Sequence, residues 1–260
     1  MNKLCITAVQ MNTAWEDYEQ NLANVKKYVE KYSSQSDLLV FPEMFLTGFS
    51  MNVQHLAISP QHEYILQLQQ WAVNSNVSLA GSLMIKEEEH FYNRFFYFHS
   101  KGNIDCYNKR HLFRMVNEHK YYTAGKEKIL IRENNFTLMP SVCYDLRFPV
   151  WLRNQNNVYD VLIIVANWPF SRIESWKKLL AARAIENQAY VIGVNRCGID
   201  NNQILYNGNT LILDYKGDII AQANNNTEES IQAVLDKSLL EQFRKDFPVA
   251  LDADNFNLIY

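Results

Sequence analysis

A chain of 260 residues with 48 % apolar and 20 % charged residues can bury a core of its own without disulfides or metals, which excludes a disordered protein. Its net charge of −3, with no dense Lys/Arg stripe, excludes a nucleic-acid partner, because such binding needs clustered positive charge to displace counterions. No apolar run reaches the roughly 18 residues of a membrane span, and the first segment, MNKLCITAVQM, reads as a strand rather than a signal peptide.

Strands and helices alternate along the chain. Residues 3–10 alternate as a strand, and Tyr18, Leu22, Val25, Val29 and Tyr32 recur at helical spacing. Asp37 to Phe41 is a buried strand that stops at Pro42. A helix over 60–74 follows, with Ile65, Leu68 and Trp71 on one face, then strands near 77–85 and 91–99. Ile129 to Val142 reads as a hairpin turned near Asn134-Asn135. Pro149 suits the first position of a helix. Val158 to Ala166 is a second buried strand, closed by Pro169. Ile173, Trp176, Leu180 and Ala184 mark a further amphipathic helix, Tyr190 to Val194 a strand, and Lys216-Gly217 a hairpin turn. The two buried strands after helices, at 37–42 and 160–169, hint at an internal pseudo-repeat. No linker or low-complexity tract interrupts the chain, so one domain over 1–260 is expected, an α/β fold whose hairpins make the sheets mixed. The tail from about 248 is apolar enough to pack on a surface, a second subunit being one candidate.

The four cysteines, Cys5, Cys106, Cys143 and Cys197, are far apart with no Cys-x-x-Cys pair. That spacing argues against a zinc ribbon and against a stapled secreted fold, and a reducing cytoplasm is the expected home. Cys143 ends an apolar strand just before a helix start at Phe148-Pro149. Backbone N–H groups and the positive helix end favour thiolate at such a corner, although a lone cysteine there is otherwise a small buried hydrophobe. Glu43 also follows an apolar strand, where a carboxylate is either a functional base or a salt-bridged structural group. Lys109, in the basic and aromatic stretch Tyr107 to Arg114, reads by itself as a solvated loop charge. His111 and His119 flank Glu118 without forming His-Glu-x-x-His, and the chain has no Gly-x-Ser-x-Gly, phosphate loop or Gly-x-Gly-x-x-Gly.

Phe41-Pro42-Glu43, Tyr107-Asn108-Lys109-Arg110-His111 and Cys143-Tyr144-Asp145-Leu146-Arg147-Phe148-Pro149 resemble the three segments that carry the Glu, Lys and Cys of the nitrilase, or carbon–nitrogen hydrolase, superfamily. Order and separations are similar. The likeness extends to Asn167-Trp168-Pro169, to Trp176 with Leu180-x-x-Arg183-Ala-x-Glu186-Asn187, and to Gly193-x-Asn195-Arg196. This resemblance implies a four-layer α-β-β-α sandwich that pairs into a homodimer, with no metal or organic cofactor. Cys143-Tyr144-Asp145 is similar to amidases rather than to true nitrilases. His111 to His119, with Tyr121 to Gly125, resembles the bacterial omega-amidase branch, although Asn108 stands where an Asp is more usual. Omega-amidases hydrolyse the terminal amide of 2-oxoglutaramate or 2-oxosuccinamate.

The resemblance implies that Glu43 is the proton carrier, Cys143 the nucleophile, and Lys109 with the Tyr144 backbone N–H the oxyanion site. It also puts Glu118 beside them as a second carboxylate. A keto-acid substrate carries a carboxylate, so Arg114 and Arg147 are candidate donors to it. Arg147 has a salt bridge with Asp145 as its structural alternative. Phe45, Phe113, Trp168 and Phe170 are candidate pocket walls, if they are not core. The rival readings are the same triad acting on another small amide or an N-carbamoyl compound, and a catalytically silent sandwich serving as an interaction module.

Overall fold

The computed structural model describes residues 2–259. The first sheet holds β1 (Lys3–Gln10), β2 (Leu38–Val40), β3 (Ser78–Glu87), β4 (His90–Phe98) and β5 (Ile104–Asn108) in chain order. β1, β2 and β3 run parallel, and the β3–β4 and β4–β5 hairpins add the antiparallel part. Helices α1 (Tyr18–Tyr32), α2 (Val53–Leu56) and α3 (Glu63–Asn74) belong to this half. In α1 the Asp17 side chain accepts from Gln20 N at 3.0 Å and caps the free N-terminal groups. Its apolar stripe Leu22, Val25 and Val29 is buried, as the spacing predicts.

After the short α4 (Glu118–Tyr121) the second sheet takes β6 (Ile131–Glu133), β7 (Phe136–Val142), β8 (Val161–Ala166) and β9 (Tyr190–Asn195). The hairpin between β6 and β7 turns at Asn134, whose φ is +51°. β7, β8 and β9 are parallel to one another. The helices α5 (Pro149–Leu152) and α6 (Ile173–Asn187) lie between them in sequence. A ribbon of β10 (Cys197–Ile199) and β11 (Leu205–Asn207) follows; then β12 (Leu211–Leu213), antiparallel to β9, and β13 (Ile219–Gln222), antiparallel to β12, extend the second sheet. Finally β14 (Glu229–Asp236) returns to the first sheet beside β1, and α7 (Lys237–Asp246) follows it. The sheet orders are therefore β14-β1-β2-β3-β4-β5 and β13-β12-β9-β8-β7-β6. In both, a parallel trio has the pseudo-repeat strand, β2 or β8, at its centre.

Strand alternation divides the core. Leu4, Ile6 and Ala8 of β1, Leu38 and Val40 of β2, and Phe95 and Tyr97 of β4 pack inward with the second sheet. The intervening Val9, Leu39, Phe96 and Phe98 pack outward with α1 and α3. On the far side, α6 lies so close to β9 that a Cβ at Gly193 would meet Leu180 at 2.5 Å. Four layers result, α-β-β-α, with mixed sheets.

The sequence reading misses β14 and α7. β14 is an edge strand with only Ile231 and Leu235 buried, so it shows neither a buried run nor a clear alternation. The tail beyond Pro248 makes one turn at Val249–Leu251 and then lies on its own chain, with Phe256 O accepting from Gln155 Nε2 at 3.1 Å and Leu258 against the core.

Candidate active site

Pro42 ends β2 and the next residue, Glu43, is buried between the sheets. Its carboxylate is held from both sides. Oε1 accepts from Lys109 Nζ at 2.8 Å and Asn93 Nδ2 at 2.7 Å, and Oε2 accepts from Asn167 N at 2.9 Å. Asn93 is fixed in turn, because its Oδ1 accepts from Ser82 Oγ at 2.8 Å and Ser82 Oγ accepts from Met44 N at 2.9 Å.

Lys109 follows β5 directly and is turned inward by the ladder, its N–H bonding Asn93 O at 2.9 Å. The side chain is 1 % exposed, so the solvated loop charge of the bare sequence is not what the fold makes of it. Nζ also donates to Glu118 Oε1 at 2.9 Å and Oε2 at 3.0 Å. Glu118 begins α4, is fully buried and accepts from Phe113 N at 2.5 Å. Burial alone would push the Lys109 pKa down, but the facing Glu118 and Glu43 carboxylates outweigh it and raise it, so the ammonium stays charged. Burial, together with the nearby Glu43, holds the Glu118 pKa above the ordinary carboxylate value despite Lys109.

Cys143 stands at the end of β7 in a left-handed conformation, φ +45°, and opens a 3₁₀ turn over Cys143–Arg147. Asp145 fastens that turn by accepting from Val142 N at 3.1 Å, His111 N at 2.8 Å and Tyr107 Oη at 2.8 Å. The thiol faces Glu43. Burial and then the Glu43 charge push its pKa well above the ordinary value, and Lys109 offsets this only in part. The sequence expectation was that the corner favours thiolate; here burial and Glu43 act in the opposite direction, and Glu43 lies beside the thiol.

A small cavity opens above Cys143, about 60 Å³ by the measure in which one water takes roughly 10–15 Å³. That size suits a short molecule, not a polymer. Phe113, Tyr144, Arg147 and Trp168, all candidates named from the sequence, line it. Arg147 does not pair with Asp145; its guanidinium lies 4.9 Å from the Trp168 ring centre and donates to Ser175 Oγ at 3.1 Å.

Three expected positions are corrected. Phe45 is core, stacked on Phe41 with ring centres 5.2 Å apart and seated over Gly81; Phe49 takes its place in the wall. Phe170 is 53 % exposed and stands outside the cavity. Arg114 is exposed at the start of a 3₁₀ turn that directs its neighbours Phe113 and Val116 to the cavity and Arg114 away from it. The second cavity arginine is Arg172, 5.3 Å from the Phe113 ring centre. The sequence reading also missed the roles of Asn93 and Asn167 around Glu43. A polar Asn93 on the inward face of the aromatic strand His90–Phe98 is a signal that could have found the first.

This fold, with a buried Glu and Lys and a half-buried Cys converging under a small pocket, defines a class, and the chain belongs to it: the carbon–nitrogen hydrolase family, whose pattern matches residues 5–245. Within the family the chain is similar to the omega-amidase YafV of Yersinia enterocolitica, with 44 % identity over 259 residues and 100 % of both chains covered. It is 32 % identical over 251 residues to the 2-oxoglutaramate amidase of Bacillus subtilis, covering 95 % of this chain and 96 % of that one. Among solved structures, XC1258 of Xanthomonas campestris, a CN-hydrolase superfamily protein with an arsenic adduct in its active site, superposes with a TM-score of 0.96 at 35 % identity, covering 99 % of this chain and 100 % of the other.

Proposed function

We propose that the chain is an omega-amidase, which hydrolyses the terminal amide of 2-oxoglutaramate or 2-oxosuccinamate to acid and ammonia by way of Cys143, Glu43 and Lys109. The observation that most supports this reading is the Glu43 carboxylate, fixed by Lys109, Asn93 and Asn167 against the Cys143 thiol. Relatives named for this activity match the chain over nearly its whole length.

Glu43 accepts the thiol proton as sulfur attacks the amide carbon, so no free thiolate has to accumulate beforehand. The oxyanion receives the Tyr144 backbone N–H and one Lys109 hydrogen that turns from Glu118. Donors of this kind contribute about 3–4 kcal/mol each. While Glu43 is protonated, Glu118 and the oxyanion together balance the buried ammonium, which would otherwise be an unpaired charge. Glu43 then passes its proton to the leaving nitrogen, ammonia departs, and a thioester remains. Water, deprotonated by Glu43, attacks the thioester; the C–S bond breaks, Glu43 returns the proton to the Cys143 sulfur, and the acid is released. Arg147 and Arg172 take the carboxylate at the other end of the substrate.

The chain works as one domain, in a homodimer, in a reducing cytoplasm. The free cysteines support the compartment. The exposed Met115, Phe170 and Ile199 and the exposed Leu251 of the tail support a partner surface. A monomer in sedimentation equilibrium would remove the dimer and leave the chemistry standing.

The test of the function is ammonia release from 2-oxoglutaramate, with Cys143→Ala as control and glutamine, a nitrile and an N-carbamoyl amino acid in parallel. Release from the keto-acid amide, lost in the variant, is the expected result. Cys143-dependent turnover of a different substrate alone would discard the keto acid and keep the mechanism. Silence on all of them would favour an interaction module.

A further inference from the structure

Asn167, the first residue after β8, is 5 % exposed and forms part of the cavity wall with Cys143. Its side-chain orientation is not ambiguous. Nδ2 lies 2.7 Å from the Glu43 backbone carbonyl and 3.4 Å from Glu43 Oε2. A carbonyl only accepts, so the atom facing it is the amide nitrogen. Oδ1 must then point elsewhere, and it is buried with no hydrogen-bond partner among the described residues. A buried acceptor without a partner calls for a donor, and Asn167 is a residue of the cavity wall.

The cavity does not supply that donor itself. Lys109 Nζ has its contacts with Glu43 Oε1 and both Glu118 oxygens. Arg147 and Arg172 lie over Trp168 and Phe113. On the Glu43 side, then, Asn167 Oδ1 and the Glu43 carboxylate are both acceptors. A carboxamide brings two N–H donors to such a place. A nitrile, an ester or the product carboxylate brings none, and the carboxylate also brings negative charge.

We propose that Asn167 Oδ1 accepts a hydrogen bond from the N–H of the scissile carboxamide, selecting amides over nitriles, esters and the acid product. Asn167 thus has two functions on its two amide atoms: Nδ2 holds the residue that moves the proton, and Oδ1 recognises the group that receives it. The proposal rests on the reading of Cys143 and Glu43 given above.

The experiment measures binding without turnover. In Cys143→Ala protein, calorimetry compares 2-oxoglutaramate with 2,5-dioxohexanoate, in which a methyl group replaces the NH₂. The amide binds the more tightly, and adding Asn167→Ala lowers that preference by about tenfold, the size of one hydrogen bond. Adding Asn93→Ala instead removes a donor to Glu43 outside the cavity wall, and leaves the preference within about twofold. Asn167→Leu, of similar volume, replaces the alanine variant if that one does not fold. An unchanged preference without Asn167, an equal loss without Asn93, or no amide binding by the Cys143→Ala protein overturns the proposal. Wild-type ammonia release is followed in parallel. Cys143-dependent release with an unchanged preference removes only the role of Asn167, whereas the absence of release removes the reading of the site.

Discussion

Met44 and Cys143 share a backbone conformation that neither residue type favours, with φ +46° at one and +45° at the other. Each lies just past a buried strand, and the first directly follows Glu43 while the second is itself the thiol. Such left-handed residues cost on the order of 1–3 kcal/mol each and persist where packing over-determines them. Here Ser82 holds Met44 N, and Asp145 holds Val142 N beside Cys143. Glycine adopts this conformation freely. Cys143→Gly should therefore be more stable than Cys143→Ala by about 1 kcal/mol, although both are inactive. Urea denaturation of the pair checks this, and an alanine protein of equal or greater stability would mean that the turn is not left-handed.

Glu43→Gln should separate turnover from thiol ionisation. Loss of the proton carrier lowers kcat by about 10²–10⁴-fold. The same change removes a negative charge that holds the Cys143 thiol protonated and leaves Lys109, which favours thiolate. Alkylation of Cys143 by iodoacetamide, followed by mass spectrometry over a pH series, should shift to lower pH in the variant. Cys197, which burial pushes up to about 11, serves as an internal standard. A shift to higher pH would contradict the placement of charge around the thiol.

Arg172→Ala should raise KM for a keto-acid half-amide by roughly ten- to a hundredfold, the value of a hydrogen bond to a charged group. Arg114→Ala should change it by less than about twofold, since an exposed side chain outside the cavity contributes little. Steady-state kinetics on both proteins distinguishes Arg114, a candidate from the sequence, from Arg172 in the pocket wall; equal effects would reject the assignment.

His99 bridges Asp105 and the buried Glu133, 2.8 Å from the first and 3.7 Å from the second. Burial would lower its pKa, but hydrogen bonds to Glu133 and Asp105 outweigh burial and raise it above the ordinary 6.5. A raised histidine adds stability that is fully present below the unfolded value and is lost as pH rises through the folded one. Wild-type protein should therefore lose this contribution between about pH 6.5 and the raised value, and His99→Gln should flatten that part of the curve. Thermal melts across pH 5–9 check it, and parallel curves for the two proteins would exclude the His99 contribution.

What was legible in the sequence follows from how each residue is stabilised. β7 and β8 are buried along their whole length, β8 as an unbroken apolar run and β7 as a largely apolar one, so their ends, Cys143 and Asn167, were easy to place. β14 depends on pairing with β1 across more than two hundred residues, and its own composition shows little of this. Glu43, Lys109 and Glu118 come from three separate segments. Residue type alone leaves each of them ambiguous, and it is their mutual pairing that makes burial tolerable. Phe45 and Phe49 are both aromatic and four positions apart, yet the chain turns between them at the left-handed Gly48. Arg114 was a candidate because it lies near Lys109 in sequence, Arg172 was not considered, and nothing in a loop charge tells where the chain will point it.

The pairing of β1 with β14 also governs how the chain is made. Emerging from the ribosome, β1 can find β2 early, but its other edge stays open until residues 229–236 follow. Lys3 meets Asp236 and Gln10 meets Glu229, so this closure joins segments more than two hundred residues apart, a slow and non-local step. For most of its synthesis the first strand offers eight residues of unpaired backbone to any passing strand. A translation product stopped at 228 would keep the Glu43, Lys109 and Cys143 segments intact and still be a candidate for aggregation.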